Sequence, residues 1–283
     1  MPPKTVAVVG AGERGAALAA LVSLAGIQVV LVDVREDFLQ AAMKRVNLEL
    51  ERILSAEMIA TEKKVDALDH IQVSESYASA AKAGLVFEVL PENKQKKLNA
   101  LAELDRICSP ATLFCVSAAT LPLDELLPAV SNPGRFIGVY FQRPVTTTRL
   151  AEISRCQKTS DQTVEALKEF LWFLGKVPVV MNASPGLVSQ RAFFAGLNEA
   201  CRLLEEGIGS PHDIDLALKL SSGGTRGPLE MADYLGLDHC LEATESLYRQ
   251  LRDEALRPPK ILLEKVSLGQ LGVKSGRGFF EYK

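Results

Sequence analysis

At the start of the chain, the order of apolar and polar residues predicts a strand, a helix and a second strand. Thr5–Val9 is a β-branched apolar run of strand length. It is followed by a Gly-x-Gly-x-x-Gly turn, then by the Ala- and Leu-rich residues 16–25 and Gly26. A second apolar run, residues 27–32, ends at Asp33. This pattern is typical of the opening βαβ unit of a parallel α/β sheet.

The glycine turn at residues 10–15 predicts a dinucleotide-binding site. Gly10 permits the tight turn, Gly12 lets the backbone approach a pyrophosphate, and Gly15 lets helix and strand pack closely. The first turn of the helix offers free N–H groups and a positive dipole end to the phosphates. Asp33 lies at about the 20-residue offset expected of an acid that binds the adenosine ribose. We therefore expect NAD, and we expect the acid to repel the 2′-phosphate of NADP.

Apolar runs and helix-prone segments continue to alternate as far as residue 181. Residues 35–68 keep a helical spacing of apolar positions and predict either one long helix or a helical hairpin. Further predicted strands are residues 71–73, 84–90, 112–116, 136–141, 150–154 and 177–181, and further predicted helices are residues 74–83, 94–107 and 161–174. Ligands of open α/β sheets bind outside the carboxyl ends of the strands. The segments 91–93 and 117–120 follow two such strands.

The character of the sequence changes near residue 183, where predicted strands give way to helices only. The predicted helices are residues 187–206, 213–220, 229–236 and 241–256, and a further one begins at Pro258 and Pro259. We therefore expect an α/β fold, with a Rossmann-type doubly wound parallel sheet in residues 1–183. An all-helical C-terminal domain, residues 184–283, would follow.

Composition limits the class of partner. The chain has 283 residues, of which 47% are hydrophobic and 24% are charged, with a net charge of −3. This is an ordinary globular composition, and no basic cluster interleaved with aromatics favours nucleic acid. The longest apolar region, residues 16–32, is better explained by the βαβ unit than by a membrane span.

Cysteine usage and the N-terminus bear on the compartment. Five scattered cysteines without a Cys-x-x-Cys pair favour reduced thiols, and they give no sign of a zinc site or any other metal site. Residues 1–4 lead straight into the first strand and leave no room for a signal peptide. We therefore expect a cytoplasmic protein.

Many ordered motifs make the chain resemble the L-3-hydroxyacyl-CoA dehydrogenase family, which includes bacterial 3-hydroxybutyryl-CoA dehydrogenases. The resemblance covers nearly the whole chain and rests on motifs in both halves. They are Gly10 to Gly15, Glu92-Asn93 with Lys97, Leu121-Pro122, Pro133 to Gly138, Gly175 to Val179, Pro185-Gly186 before Arg191, Asn198-Glu199-Ala200, Leu203 to Gly207, Asp213-Ile214-Asp215, Gly227 to Asp233, Gly236-Leu237-Asp238 and Gln270 to Phe279.

The resemblance implies a homodimer that binds NAD and reversibly oxidises the 3-hydroxyl of an acyl-CoA. The residues expected to contact the cofactor lie in the glycine turn and after the sheet strands. They are Gly10, Gly12, Glu13, Arg14, Gly15, Asp33, Leu90, Glu92, Lys97 and Ser117.

The catalytic positions are where this sequence departs from the family pattern. The family's His-Phe-Phe-Asn-Pro reads Tyr140-Phe141-Gln142-Arg143-Pro144, so Tyr140 stands in place of the histidine and Arg143 in place of the asparagine. Ala119 stands in place of the catalytic serine. Glu152, which would orient the base, and Asn198 of the second domain are interpreted as retained. We take Tyr140, Glu152 and Asn198 as the candidate catalytic residues.

Three departures introduce arginine near the expected cleft. Arg14 and Arg226 each replace a methionine of the family, and Arg143 replaces the asparagine. Arginine is suited to bidentate binding of a carboxylate or phosphate. One hypothesis is a substrate with a free anionic group near the reacting carbon, contacted by Ala119, Arg143 and Arg226. The other is that these arginines meet the NAD phosphates, pair with glutamates or are solvated.

Two functions remain open. The first is an NAD-dependent oxidoreductase in which Tyr140 acts on a 3-hydroxyacyl thioester of CoA or a carrier protein, or on a free hydroxy acid. A phenol is a poor base at neutral pH unless cations stabilise the phenolate; Arg143 and Lys97 are the expected cations, and Glu152 would oppose them. The second is a protein of the same fold without dehydrogenase activity, either a binding or regulatory subunit or a catalyst of non-redox acyl chemistry.

Overall fold

The computed structural model describes residues 2–119 and 121–282. The chain divides into two compact units, one that ends at Ser184 and one that begins at Pro185. Within the described residues, no helix is both long enough and apolar enough to span a bilayer.

The first unit is built on one eight-stranded sheet with the order β3-β2-β1-β4-β5-β6-β7-β8. The strands from β3 to β6 are mutually parallel, which confirms the predicted Rossmann-type arrangement. The strands are β1 (Thr5–Val9), β2 (Gln28–Val32), β3 (Ile71–Ser74), β4 (Leu85–Glu88), β5 (Leu113–Val116), β6 (Phe136–Phe141), β7 (Leu150–Arg155) and β8 (Val177–Asn182).

Two strands, β7 and β8, run opposite to the other six, which the prediction of a parallel sheet does not include. β7 pairs with β6 in antiparallel orientation, and β8 then runs parallel to β7. The segment between β6 and β7, residues 142–149, contains no helix. A parallel neighbour needs a crossover connection of a dozen or more residues, usually a helix, so this short segment requires the chain to turn back.

Helices cover both faces of the sheet, and each face has its own apolar core. The helices are α1 (Glu13–Leu24), α2 (Glu36–Ser55), α3 (Thr61–Asp69), α4 (Lys94–Ile107) and α5 (Asp161–Phe173). Short 3₁₀ helices occur at Tyr77–Lys82, Leu123–Ala129 and Pro133–Arg135. α1 is Ala-rich because most of its residues are buried against the sheet. Residues 35–68 form a helical hairpin, the second of the two predicted alternatives.

The segment between β6 and β7 is held by a buried lysine. Lys176 is 3% exposed, and its Nζ donates to the backbone oxygens of Val145, Thr146 and Thr148 at 2.5, 3.3 and 2.7 Å. Burial lowers the pKa of Lys176 to about 8. Lys176 thus fixes this segment, although burial makes its charged form less favourable than it is in water.

The second unit is entirely helical, as predicted. It contains α6 (Leu187–Glu205), α7 (Pro211–Ser222), α8 (Pro228–Leu235), α9 (Leu237–Leu251) and α10 (Lys260–Ser267), with 3₁₀ helices at Glu254–Leu256 and Val273–Ser275. The prediction of one helix over residues 241–256 is wrong at both ends. α9 begins directly after Gly236, and it ends where Arg252 adopts a left-handed conformation with φ 54°.

Two buried carboxylates organise the second unit. Asp215 accepts the N–H groups of Leu229 and Glu230 at the start of α8. Asp233 accepts the N–H groups of Phe279 and Phe280, both at 2.9 Å. A Cβ on Gly278 would lie 2.0 Å from the Asp233 carboxylate. Position 278 therefore requires glycine, because the backbone there packs directly against the Asp233 side chain.

The pKa of Lys176 predicts a pH dependence of stability. Between about pH 8 and the ordinary lysine value of 10.5, the unfolded chain holds a proton that the folded chain has lost. Stability contributed through Lys176 therefore rises with pH across this window. Urea unfolding from about pH 7 to about pH 9.5 should show the wild type gaining stability relative to Lys176→Met. A difference that stays constant with pH would contradict this assignment.

Candidate active site

The glycine turn is packed as its sequence predicts. Gly10 has φ +109°, a conformation that favours glycine, and a Cβ on Gly15 would lie 1.8 Å from the Gly10 carbonyl oxygen. A Cβ on Gly12, in contrast, would meet nothing within 4 Å. The turn is therefore closed on the side of the sheet and open on the side of Gly12, where α1 begins.

Asp33 ties the glycine turn to the end of β2. Its carboxylate accepts the Ala11 N–H at 2.8 Å and the Arg35 N–H at 3.3 Å. A carboxylate oxygen has further lone pairs, so these two bonds position the side chain without exhausting it. The acid is thus held at the carboxyl edge of the sheet, beside the turn.

These residues fit a dinucleotide. No side chain caps α1 at Gly12, so the first-turn N–H groups stay available to a pyrophosphate. The open face at Gly12 leaves room for the phosphates, and the Asp33 carboxylate beside the turn is the acceptor expected for the ribose. The residues that would hold NAD in this unit are therefore the turn, the start of α1 and Asp33.

A buried ion pair lies beneath the same edge of the sheet. Glu88 and Lys97 are both 0% exposed, and the Lys97 Nζ donates to the two Glu88 carboxylate oxygens at 3.0 and 2.9 Å. Its third bond goes to the Ser117 carbonyl at 2.8 Å. Burial raises the pKa of Glu88, and Lys97 opposes that shift by stabilising the carboxylate. The pair joins the ends of β4 and β5 to helix α4.

Leu90 and Glu92 make further hydrogen bonds at this edge of the sheet. The Leu90 N–H donates to a Glu88 carboxylate oxygen at 2.8 Å. The Glu92 carboxylate accepts the N–H groups of Ala119 at 2.6 Å and Leu121 at 3.1 Å. The chain after β5 is therefore fixed to the chain after β4. Thr120 lies outside the described residues.

Tyr140 and Glu152 lie side by side, although they are twelve positions apart in the chain. They are paired directly across the antiparallel β6–β7 ladder, which places their side chains on the same face of the sheet. Tyr140 is 6% exposed and Glu152 is 2% exposed. The position expected of the general base and the acid that orients it are thus adjacent.

Arg14 is the cation that the structure places at Tyr140. Its guanidinium carbon lies 5.1 Å from the centre of the Tyr140 ring, within the range of a cation–π contact. Its Nη1 donates to the Ser117 hydroxyl at 3.2 Å. Its Nε is buried and has no hydrogen-bond partner among residues 2–119 and 121–282. Arg14 therefore connects the start of α1 to the ends of β5 and β6.

We expected Arg143 and Lys97 to be the cations beside Tyr140, but the cation observed there is Arg14. Lys97 is enclosed with Glu88, and all three of its hydrogen bonds are made within the protein. Arg143 pairs with Glu13 at 3.3 Å. Each of these two side chains is therefore already paired with a carboxylate. The contact of Lys97 with the cofactor stays a prediction; its observed bonds fix the Ser117 backbone.

The two candidates of the second unit have partners inside that unit. Asn198 is 0% exposed, its Nδ2 donates to the backbone oxygens of Ala255 and Arg257, and its Oδ1 is buried without a partner among the described residues. Arg226 pairs with Glu230 at 3.2 Å and lies 4.2 Å from the centre of the Tyr234 ring. These contacts indicate structural roles, and the substrate and catalytic roles of both residues stay predictions.

Glu88 is the part of this site that sequence reasoning missed. It lies within the apolar run of residues 84–90, which predicts a strand buried on both faces. A charged residue in such a strand must have a buried partner. That signal was available in the sequence, and Lys97 at the position nine residues later is the partner.

The comparisons with known proteins agree with this geometry. The model of the 3-hydroxyacyl-CoA dehydrogenase NAD-binding domain matches residues 5–184, and the model of the C-terminal domain of that family matches residues 186–282. The chain is 37% identical to a 3-hydroxybutyryl-CoA dehydrogenase from Bradyrhizobium diazoefficiens, covering 99% of this chain and 96% of that protein.

Solved structures show the same similarity. The crystal structure of FadB2 from M. tuberculosis has a TM-score of 0.96 at 29% identity, with complete coverage of both chains. The (S)-3-hydroxybutyryl-CoA dehydrogenase from Ralstonia eutropha has a TM-score of 0.92 at 34% identity, with 99% of each chain covered.

The glycine turn, Asp33 and the sheet order define an NAD-binding oxidoreductase of the Rossmann type. Because the family models match almost the whole chain in two consecutive segments, the protein belongs to the 3-hydroxyacyl-CoA dehydrogenase family. NAD is accordingly its cofactor.

Two glycines of the turn predict separable effects. Gly15→Ala should destabilise the protein by about 1–3 kcal/mol, because its Cβ would collide with the Gly10 carbonyl. Gly12→Ala should leave stability within about 1 kcal/mol and weaken NADH binding at least about tenfold, because its Cβ would project into the phosphate space. Urea unfolding and calorimetric titration with NADH measure the two quantities. Full NADH affinity in Gly12→Ala would contradict the assignment.

The buried ion pair predicts non-additive stability. Glu88→Gln or Lys97→Met alone should cost about 3–5 kcal/mol, because each leaves one buried charge without its partner. The double variant should cost clearly less than the sum. Lys94→Met, which breaks the exposed Lys94–Glu125 pair, is the control and should cost at most about 1 kcal/mol. Additive losses in the double variant would refute a coupled pair.

Proposed function

We propose that this protein catalyses the NAD-dependent, reversible oxidation of the 3-hydroxyl group of a 3-hydroxyacyl thioester, with Tyr140 in place of the family's histidine. The observation that carries the proposal is the direct pairing of Tyr140 with Glu152 across the β6–β7 ladder. The pair occupies the position where the resemblance expects a base and its orienting acid. The relatives named as 3-hydroxybutyryl-CoA dehydrogenases support a CoA thioester as substrate.

NAD, when bound, would supply the hydride-transfer chemistry at C3 of the substrate. The residues of this chain supply binding and proton handling. The glycine turn and Asp33 position the dinucleotide. The Glu88–Lys97 pair and Glu92 keep the segments after β4 and β5 in place beneath it.

Tyr140 would exchange a proton with the oxygen on C3. In the reducing direction a phenol donates this proton directly; in the oxidising direction the phenolate accepts it. A neighbouring guanidinium favours the negatively charged form of a phenol, whereas a neighbouring carboxylate opposes it. Arg14 lies over the Tyr140 ring, and Glu152 lies opposite in the next strand. Tyr140 thus has one cationic and one anionic neighbour.

The absence of the serine is the observation that favours the second function. Ala119 has no hydroxyl to hold the substrate oxygen, and its N–H is directed to Glu92. Among the described residues 117–119, the hydroxyl is that of Ser117, which accepts a hydrogen bond from Arg14. A protein that binds NAD and an acyl group without transferring hydride is therefore the alternative that the experiment must separate.

Substitution of Tyr140 tests the proton-transfer role. Tyr140→Phe should lower kcat for NADH-dependent reduction of acetoacetyl-CoA by about 10²–10⁴-fold, because it removes the exchangeable proton and keeps the ring beside Arg14. NADH affinity should stay within about twofold. Tyr248→Phe, which removes a hydroxyl bonded to Glu254 in the second unit, is the matched control and should keep full activity.

A gain-of-function variant separates the two candidate functions. Wild-type turnover that is lost in Tyr140→Phe supports the redox enzyme. No wild-type turnover, with activity appearing in the Tyr140→His, Ala119→Ser double variant, would refute it and favour the non-redox alternative. Undiminished turnover in Tyr140→Phe would refute the role of the phenol.

The resemblance also implies a homodimer, which stays a prediction that sedimentation of the purified protein would test. The cytoplasmic location predicted from the cysteine usage stays a prediction as well. All five cysteines are free and buried, in agreement with a reducing compartment.

A further inference from the structure

Three arginines line one pocket of the first unit. Arg14 lies in the first turn of α1, Arg45 lies on α2, and Arg143 follows β6. The pocket encloses about 350 Å³. Its remaining wall combines apolar side chains with two glutamates; they are Ala17, Leu48, Pro144, Val145, Glu13 and Glu49. The pocket therefore offers an apolar surface next to a cluster of cations.

The two glutamates of this wall are already paired with arginines. Glu13 pairs with Arg143 at 3.3 Å. Glu49 pairs with Arg52 at 2.7 Å, and its carboxylate also accepts the Thr146 hydroxyl at 3.0 Å. Both acids are thus paired with arginines other than Arg14 and Arg45.

Arg14 and Arg45 have only neutral partners. Arg14 donates to the Ser117 hydroxyl, and Arg45 donates to the Ala11 carbonyl at 3.4 Å. In the described part of the chain, no carboxylate lies within 4.0 Å of either guanidinium. The buried Nε of Arg14 lacks a partner as well. A buried donor without an acceptor is costly, so its persistence points to an acceptor that arrives with a ligand.

The position of Arg14 limits which anion this can be. The same guanidinium lies 5.1 Å from the centre of the Tyr140 ring, where the proposed chemistry occurs. The phosphates of CoA are separated from the thioester by the whole pantetheine arm, and the NAD pyrophosphate is expected at the N–H groups of the glycine turn. An anionic group carried by the acyl chain close to the reacting carbon would come within reach of this guanidinium.

We propose that the Arg14–Arg45 pocket binds a carboxylate carried by the acyl group, so that the preferred substrates are 3-hydroxyacyl thioesters of dicarboxylic acids. The methylene groups of the chain would contact the apolar wall formed by Ala17, Leu48 and Val145. The guanidinium groups would bind the terminal carboxylate, for which the planar fork of arginine is suited. This inference rests on the proposed function for the position of the reacting carbon.

Two unreactive ligands of equal length test the inference without any redox step. Hexanoyl-CoA and adipyl-CoA have the same number of acyl carbons, and neither carries oxygen on C3. They differ in the terminal carboxylate alone. Calorimetric titration of the full chain in the presence of NAD should give a Kd for adipyl-CoA at least about tenfold lower than that for hexanoyl-CoA, equivalent to about 1.4 kcal/mol.

Three arginine variants identify the residues responsible. Arg14→Met and Arg45→Met should each bring the ratio of the two Kd values close to one. Arg52→Met is the matched control on α2, because Arg52 is already paired with Glu49, and it should keep the wild-type ratio. Since both ligands contain CoA, an arginine that binds a CoA phosphate would change both Kd values equally.

Each outcome bears on the inference separately from the proposed function. A tenfold preference that disappears in the Arg14 and Arg45 variants supports the pocket, even if the wild type transfers no hydride. Equal Kd values in the wild type overturn it, even if acetoacetyl-CoA is reduced. A preference that survives in both variants, equal changes for both ligands, or no binding of either ligand would overturn it too.

Discussion

The buried ion pair between Glu88 and Lys97 is the interaction on which the site depends. It lies where β4 ends, and its three strong hydrogen bonds join that strand to α4 and to the Ser117 carbonyl after β5. A charged pair with no exposure is stable only when both partners are present, since either charge alone would have no compensation. The ends of β4 and β5 at the carboxyl edge of the sheet are thus fixed to each other and to α4.

The residues that depart from the family pattern at this edge of the sheet lie close to one another. Replacement of the family's histidine by tyrosine places a phenol opposite Glu152, and the arginine in the glycine turn lies over its ring. The same arginine borders a pocket with a second cation that lacks a carboxylate partner. One guanidinium, that of Arg14, thus contacts the proposed proton-transfer residue and also lines the pocket proposed to bind the acyl carboxylate.

The sequence allowed the alternation of strands and helices, the glycine turn and the helical second unit to be predicted, because each depends on local periodicity or on glycine sterics. The bounds of α4 and β6 are as predicted. The reversal of β7, the cation at Tyr140 and the enclosure of Asn198 were not predictable in this way. They depend on which side chains meet across the fold, and a pattern along one chain carries no distance between residues far apart in sequence.

The most direct measurement of the central claim is isotope transfer. The purified protein is incubated with NADH carrying deuterium at C4 and with an excess of a 3-oxoacyl-CoA, either neutral or ending in a carboxylate. Mass spectrometry of the product then locates the label. A redox site built on Tyr140 and Arg14 predicts deuterium at C3 of the 3-hydroxyacyl product. The absence of label from both products, together with label in the variant that restores histidine and serine, would contradict it.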